Sequence, residues 1–160
     1  MIDKNKTDKA GSYLLAHNET ISIAESVTSG LLQFILGEAT NAEKFYQGGI
    51  TAYNLGQKYK YLGVEPIHAA AVNSVSQQVA ELMAIEVCRM FSSDWGISIT
   101  GYATPVPESG NKLFSYYAVV YKGRVKSSGK LDCEEMPPIR VKEKYSEDII
   151  DELLKLMQGD

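Results

Sequence analysis

Cysteine and histidine are scarce in this sequence, and neither is placed for metal chemistry. Cys88 and Cys133 stand far apart, with no CxxC spacing and no histidine beside them. A disulfide scaffold and a thiolate metal site are therefore not expected. His17 and His68 have no carboxylate or cysteine at ligand spacing, so no metal and no cofactor is expected. Excess positive charge is missing as well: the net charge is -4 and the pI about 5.3. A nucleic-acid or anionic-membrane partner is not expected, because phosphate neutralisation needs clustered cations. No apolar run approaches the ~20 residues of a membrane-spanning helix. The start, MIDKNKTDKAGSY, lacks the apolar stretch of a secretory signal. A soluble, cytoplasmic protein is expected.

What is present fits an ordinary globular chain. The 160 residues are 44% hydrophobic and 22% charged, enough for a single domain, 1–160, with its own core. A first helix is expected up to His17, with Ala10, Tyr13 and Leu14 inward and Asn18 as its stop. Thr20 to Ala24 reads as a strand and Gly30 to Leu36 as a helix. Gly48 to Tyr53 reads as a strand, and a short helical piece runs through Lys58 to Leu62. Ser76 is a candidate N-cap for a long helix reaching about Met90. "WGISITGYA", Phe114 to Tyr121 and Arg124 to Leu131 read as strands. The diproline segment Asp132 to Pro138 reads as a loop, and Val141 to Leu156 as a closing helix. Helices alternating with strands, followed by a hairpin, predict an α/β fold with a mixed sheet and helices on its faces.

Three stretches are placed to carry chemistry. In "TISIAESVTSG", a strand runs through a hydroxyl-rich turn into a helix, where free backbone N–H groups and the helix dipole favour an anion. The same residues also serve as a cap. In "YQGGITAYNLGQKYKYLGV", Lys58 is a candidate base or anion contact and Tyr53 a ring contact, against the solvated surface lysine as the plain reading. The tyrosines there and nearby read as packing residues. In "TGYATPVPESGNK", a glycine- and proline-bearing loop follows a strand, where α/β proteins place ligands and also ordinary turns.

Taken together, the order and spacing of these blocks resemble the CinA C-terminal domain family, the competence/damage-inducible proteins whose enzymatic members are nicotinamide mononucleotide amidohydrolases. The family's Ala-Glu-Ser-Cys-Thr-Gly-Gly turn is similar to Ala24-Glu25-Ser26-Val27-Thr28-Ser29-Gly30. Its Tyr-Ser-Asn-Glu-x-Lys run is similar to Tyr53-Asn54-Leu55-Gly56-Gln57-Lys58, and its Leu-Gly-Val matches Leu62-Gly63-Val64. Its Gly-Ala-Val-Ser stands as Asn73-Ser74-Val75-Ser76. Its Thr-Gly-Ile-Ala-Gly-Pro-Asp-Gly-Gly loop stands as Thr100-Gly101-Tyr102-Ala103-Thr104-Pro105-Val106-Pro107-Glu108, closed by Lys112. The resemblance covers about Thr20 to Tyr121.

The resemblance implies a serine-plus-lysine site for hydrolysing an amide, with phosphate contacts from the first and third blocks. Candidate catalytic residues are Lys58, Ser26 and Tyr53. Candidate ligand-binding residues are Glu25, Thr28, Ser29, Gly30, Gly101, Thr104 and Lys112. A small-molecule nucleotide and a homo-oligomer are the partners it implies. The chain departs from the pattern where Asn41 and Ala42 replace serines of a Gly-Ser-Ser turn. It departs again where Val106, Pro107 and Glu108 replace an acid and two glycines, and where bulky residues such as Phe114 and Tyr116 replace small ones. Proline removes a donor and glutamate opposes a phosphate, so the inherited activity is expected to be altered or lost. Three readings follow. The first is a nucleotide or small-anion binder using Ser26, Thr28 and Thr104. The second is a working amidase with Ser26 or Thr28 as nucleophile and Lys58 as base. The third is an oligomeric interaction protein whose cleft is filled by Phe114 or Tyr116.

Overall fold

The computed structural model describes residues 2–159. Its elements are α1 (Lys4–His17), β1 (Ile21–Glu25), α2 (Leu31–Gly37), β2 (Tyr46–Thr51), α3 (Leu55–Leu62), α4 (Pro66–Ala71), α5 (Gln77–Phe91), β3 (Trp95–Gly101), β4 (Leu113–Tyr121), β5 (Arg124–Cys133) and α6 (Pro138–Met157). They build a five-stranded sheet in the order β2-β1-β3-β4-β5. β1 runs parallel to both β2 and β3, and β3, β4 and β5 are antiparallel. The expected mixed α/β architecture is present.

Some boundaries differ from expectation for local reasons. β2 begins at Tyr46 and stops at Thr51, so Tyr53 lies beyond the strand. Asn54 then caps α3 by accepting from the Gln57 N–H at 3.0 Å, which starts that helix at Leu55 rather than near Lys58. α4 has only six residues and was not expected; Glu65 caps it through the Ile67 and His68 N–H groups, with Pro66 at its first position. β5 extends to Cys133, and α6 opens at Pro138. The stops and caps expected at Asn18 and Ser76 are present: Asn18 is left-handed at φ 52, and Ser76 accepts from the Val79 N–H at 3.1 Å.

Strand alternation sorts the core into two unequal faces. Ile21, Ile23, Trp95, Ile97, Ile99, Tyr117 and Val119 point to one face, where they meet Leu32, Leu36, Tyr145 and Ile149 beneath α1, α2 and α6. The opposite face carries small residues, Ser22, Ala24, Gly96, Ser98, Thr100 and Ala118. Small side chains let α5 lie close to the sheet, and the hydroxyls satisfy its surroundings. Ser22 Oγ donates to Val87 O at 3.1 Å, Ser98 Oγ donates to Ala80 O, and Thr100 Oγ1 donates to Ser74 O at 2.7 Å. Gly96 marks the tightest approach, since a Cβ there would meet Cys88 Sγ at 2.3 Å and Ala84 O at 2.6 Å. Gly96→Ala is accordingly expected to lower stability by about 2–3 kcal/mol through overpacking. Urea unfolding with an unchanged m-value is the check, and a midpoint equal to wild type would contradict the close packing.

The topology also makes the cleft. From β1 the chain passes to β2 through α2 on the first face, then returns over the second face through α3 to α5 and enters β3 beside β1. A crevice opens beyond the carboxyl ends of β1 and β3, the position where parallel sheets hold ligands. Among the described residues no helix is long and apolar enough to cross a membrane.

Candidate active site

The alternation that sorts the core also separates two neighbouring residues at the end of β1. Glu25 points to the α2 side. Its fully buried carboxylate accepts from the Leu32 N–H at 2.9 Å, the Gln33 N–H at 2.8 Å and the Thr28 hydroxyl. Ser26, one position on, points to the other side and into the crevice, where Lys58 Nζ donates to its Oγ at 2.9 Å. The cleft around them has a volume of about 680 Å³, a size that suits a small-molecule ligand.

Lys58 is only 2% exposed, although it sits on a short helix at the molecular surface. Among the described residues, Ser26 Oγ is the one hydrogen-bond acceptor of its amine and no carboxylate pairs with it. Burial without a counter-ion disfavours the ammonium, and its pKa is pushed down to about 8. An amine so poised is neutral in about a tenth of molecules at pH 7, far more than an ordinary lysine, and can accept the proton of a serine hydroxyl. Beside the dyad, the backbone N–H groups of Val27 and Thr28 have no hydrogen-bond partner among the described residues. Of the two, Val27 lines the cleft beside Ser26 and offers it an open donor.

The other sequence candidates divide sharply. Ser26, Tyr53, Lys58, Gly101 and Thr104 line the cleft, and Tyr53 does so from an exposed position, 65% accessible. Glu25, Thr28, Ser29, Gly30 and Lys112 do not line it. Glu25 and Thr28 are bonded to each other, and Glu25 fills the first amides of α2, so that helix end is already occupied by a carboxylate and is not an anion site. Thr28, whose hydroxyl donates to Glu25, is likewise not placed as a nucleophile. Ser29 faces Lys142 instead, accepting from its Nζ at 3.3 Å. Tyr53, Tyr59 and Tyr61 are exposed rather than packed.

Residues not foreseen also line the cleft. Lys142 reaches it from α6, and Asn73, Ser74 and Val75 form its rim at the turn between α4 and α5. Among the described residues that line the cleft, the lysines are Lys58 and Lys142 and the acid is Glu108. No pattern in the sequence marks Lys142, because its position in the cleft depends on how α6 packs. Phe114 and Tyr116 do not line the cleft and leave it open. Asn41 and Ala42 lie at a 3-10 turn outside it, where Ala42 packs into the core, so their identity does not alter the dyad.

Comparison with known proteins places the chain in a lineage. The model of the CinA C-terminal domain matches residues 3–155. A CinA-like protein of Rippkaea orientalis is 35% identical over 83% of the chain, which spans 31% of that protein. A putative competence-damage inducible protein of Moorella thermoacetica is 37% identical over 72% of the chain, which spans 28% of its length. The chain thus corresponds to under a third of these relatives. A crystal structure of a competence-damaged protein (CinA) superfamily protein from Enterobacter cloacae superposes with a TM-score of 0.91 at 27% identity, covering 98% of this chain and 94% of that one.

Proposed function

The chain belongs to the CinA C-terminal domain family, and from that premise we propose that its cleft is an amide-hydrolase site for a small anionic substrate, of which nicotinamide mononucleotide is the first to test. The observation that carries the proposal is the 2.9 Å contact between a buried, unpaired Lys58 amine and Ser26 Oγ, open to a cleft.

In the proposed reaction, neutral Lys58 takes the Ser26 proton as Oγ attacks the carboxamide carbon. The oxyanion of the tetrahedral species lies against the free Val27 N–H group. The Lys58 ammonium then protonates the departing nitrogen, and ammonia leaves an acyl-serine. Water, activated by the again-neutral Lys58, releases the carboxylate and restores Ser26. Lys142 supplies the positive charge that favours an anionic substrate, helped by the open Ala103 and Thr104 N–H groups.

The test is ammonia release from nicotinamide mononucleotide and from nicotinamide riboside, which lacks the phosphate. The mononucleotide is expected to react faster, and Lys142→Ala to raise its KM by about tenfold, the loss of one charge-assisted contact, without altering the riboside rate. No ammonia from either, beside an active amidohydrolase, would remove this reading. Val106 and Glu108, which line the cleft where the family pattern has an acid and a glycine, favour a second reading, a nucleotide binder without turnover. Saturable binding of the mononucleotide with no ammonia would establish that instead.

A further inference from the structure

Tyr102 is held on every side. Its N–H donates to Phe114 O at 2.9 Å, and its carbonyl accepts from the buried Tyr145 hydroxyl at 2.8 Å. Its ring meets Phe114 edge-on, with centroids 5.2 Å apart and planes at 71°. Phe114 is itself backed by Tyr116, at 6.1 Å and 87°, and by Lys130 Nζ, 4.4 Å from its centroid. The free end of Tyr102, its hydroxyl, accepts from Asn73 Nδ2 at 3.1 Å. Asn73 belongs to the turn between α4 and α5, and both residues line the cleft.

The Asn73 side is equally fixed. Asn73 and Ser74 are both left-handed, at φ 52 and 60, a conformation that asparagine tolerates better than most residues. The Ser74 N–H donates to Ala69 O at 2.7 Å, and Ser74 O accepts from Thr100 Oγ1 at 2.7 Å. The bond therefore joins two anchored walls rather than two free side chains. The pattern that the chain resembles has glycine where Asn73 stands and isoleucine where Tyr102 stands, and neither can make this bond. The bulky Phe114 and Tyr116 brace the ring from behind instead of filling the cleft.

We infer that the Asn73–Tyr102 bridge is a specificity determinant that limits the size of substrate able to reach Ser26. The inference rests on the reading of the cleft as a substrate site. A group small enough to pass beside the bridge reaches the dyad, and a larger one must first break the bond and displace a ring that Phe114 meets edge-on and whose backbone Tyr145 anchors.

The limit can be read without turnover. In a Ser26→Cys protein, with Cys133→Ser to remove the other accessible thiol, the cleft thiol is labelled by methyl methanethiosulfonate and by its dansyl-bearing analogue. Each reaction forms a mixed disulfide and releases methanesulfinate, and mass spectrometry gives both rates. The bulky reagent is expected to react at least about tenfold more slowly, relative to its rate with free cysteine, than the small one, a discrimination in the range pockets achieve by shape. Asn73→Gly, Tyr102→Phe and Tyr102→Ile should each recover about fivefold or more of that deficit and leave the small reagent unchanged. Asn73 is exposed and glycine adopts its left-handed conformation without strain, so that variant keeps the test independent of folding. An equal ratio of the two rates in all four proteins would overturn the size limit. Absence of ammonia release would overturn the amidase reading alone, since thiol labelling does not depend on it.

Discussion

Lys58→Met is expected to reduce ammonia release from nicotinamide mononucleotide by about a thousandfold or more, because removing the base of a nucleophile–base pair removes activation of the serine. Ser26→Ala should cost a similar factor. The double variant should be no worse than either, since the two side chains act as a unit. The pH profile gives a separate signature. Activity requires the neutral amine, so kcat/KM in the wild type should rise with pH and level off above about 8, the value to which burial pushes Lys58. Tyr53→Phe is expected to retain that limb, because Tyr53 makes no contact with the dyad among the described residues.

On replacing Lys58, stability should move in the opposite direction from activity. Lys58 titrates near 8 when folded, against 10.5 when exposed. Between those values the unfolded chain binds more protons than the folded one, so wild-type stability rises as pH increases from about 8 to 10.5. Below that window the folded state carries a constant penalty of about 3 kcal/mol for burying the group. Methionine has a similar length and no charge to bury. At pH 7, Lys58→Met should therefore raise Tm by about 6–12 °C while abolishing turnover, the trade expected at a functional site. An inactive variant that was also less stable would identify Lys58 as structural.

Glu25→Ala is expected to be the most destabilising change near the cleft. It would strand the Leu32 and Gln33 amides and the Thr28 hydroxyl, all now directed at one buried carboxylate. Losing that acceptor should cost about 3–5 kcal/mol, the sum of several unsatisfied buried donors. For a chain of this size the corresponding fall in Tm is about 10 °C or more. Glu25→Gln retains one acceptor oxygen and should lose roughly half as much. Differential scanning calorimetry of the three proteins decides it. A Glu25→Ala Tm within about 2 °C of wild type, under 1 kcal/mol for this size, would mean that the carboxylate does not hold the turn.

Much of the framework was legible locally. Isoleucines alternating with small residues in "ISIA" and "WGISIT" encode two strands with one wide face and one close face, because period two is a property of the extended backbone itself. Ser76 and Asn18 mark helix ends through bonds that span only a few residues. The α4 helix escaped notice because six residues are too short for a helical period to register.

At the site, the sequence by itself determined the cast and the spacing: a serine after β1, a lysine after β2 and a glycine loop after β3. Which of them meet was decided only in three dimensions. Ser26 and Lys58 are 32 residues apart, Asn73 and Tyr102 are 29 apart, and Ser29 and Lys142 are 113 apart. No local pattern sets such contacts; they follow from α3 and α6 packing on opposite faces of one sheet. The same packing divides Glu25 from Ser26, since alternate residues of a strand face opposite ways. One was turned to hold a helix and the other to meet a lysine whose burial lowers its pKa, and burial is a property of the folded surroundings rather than of the residue.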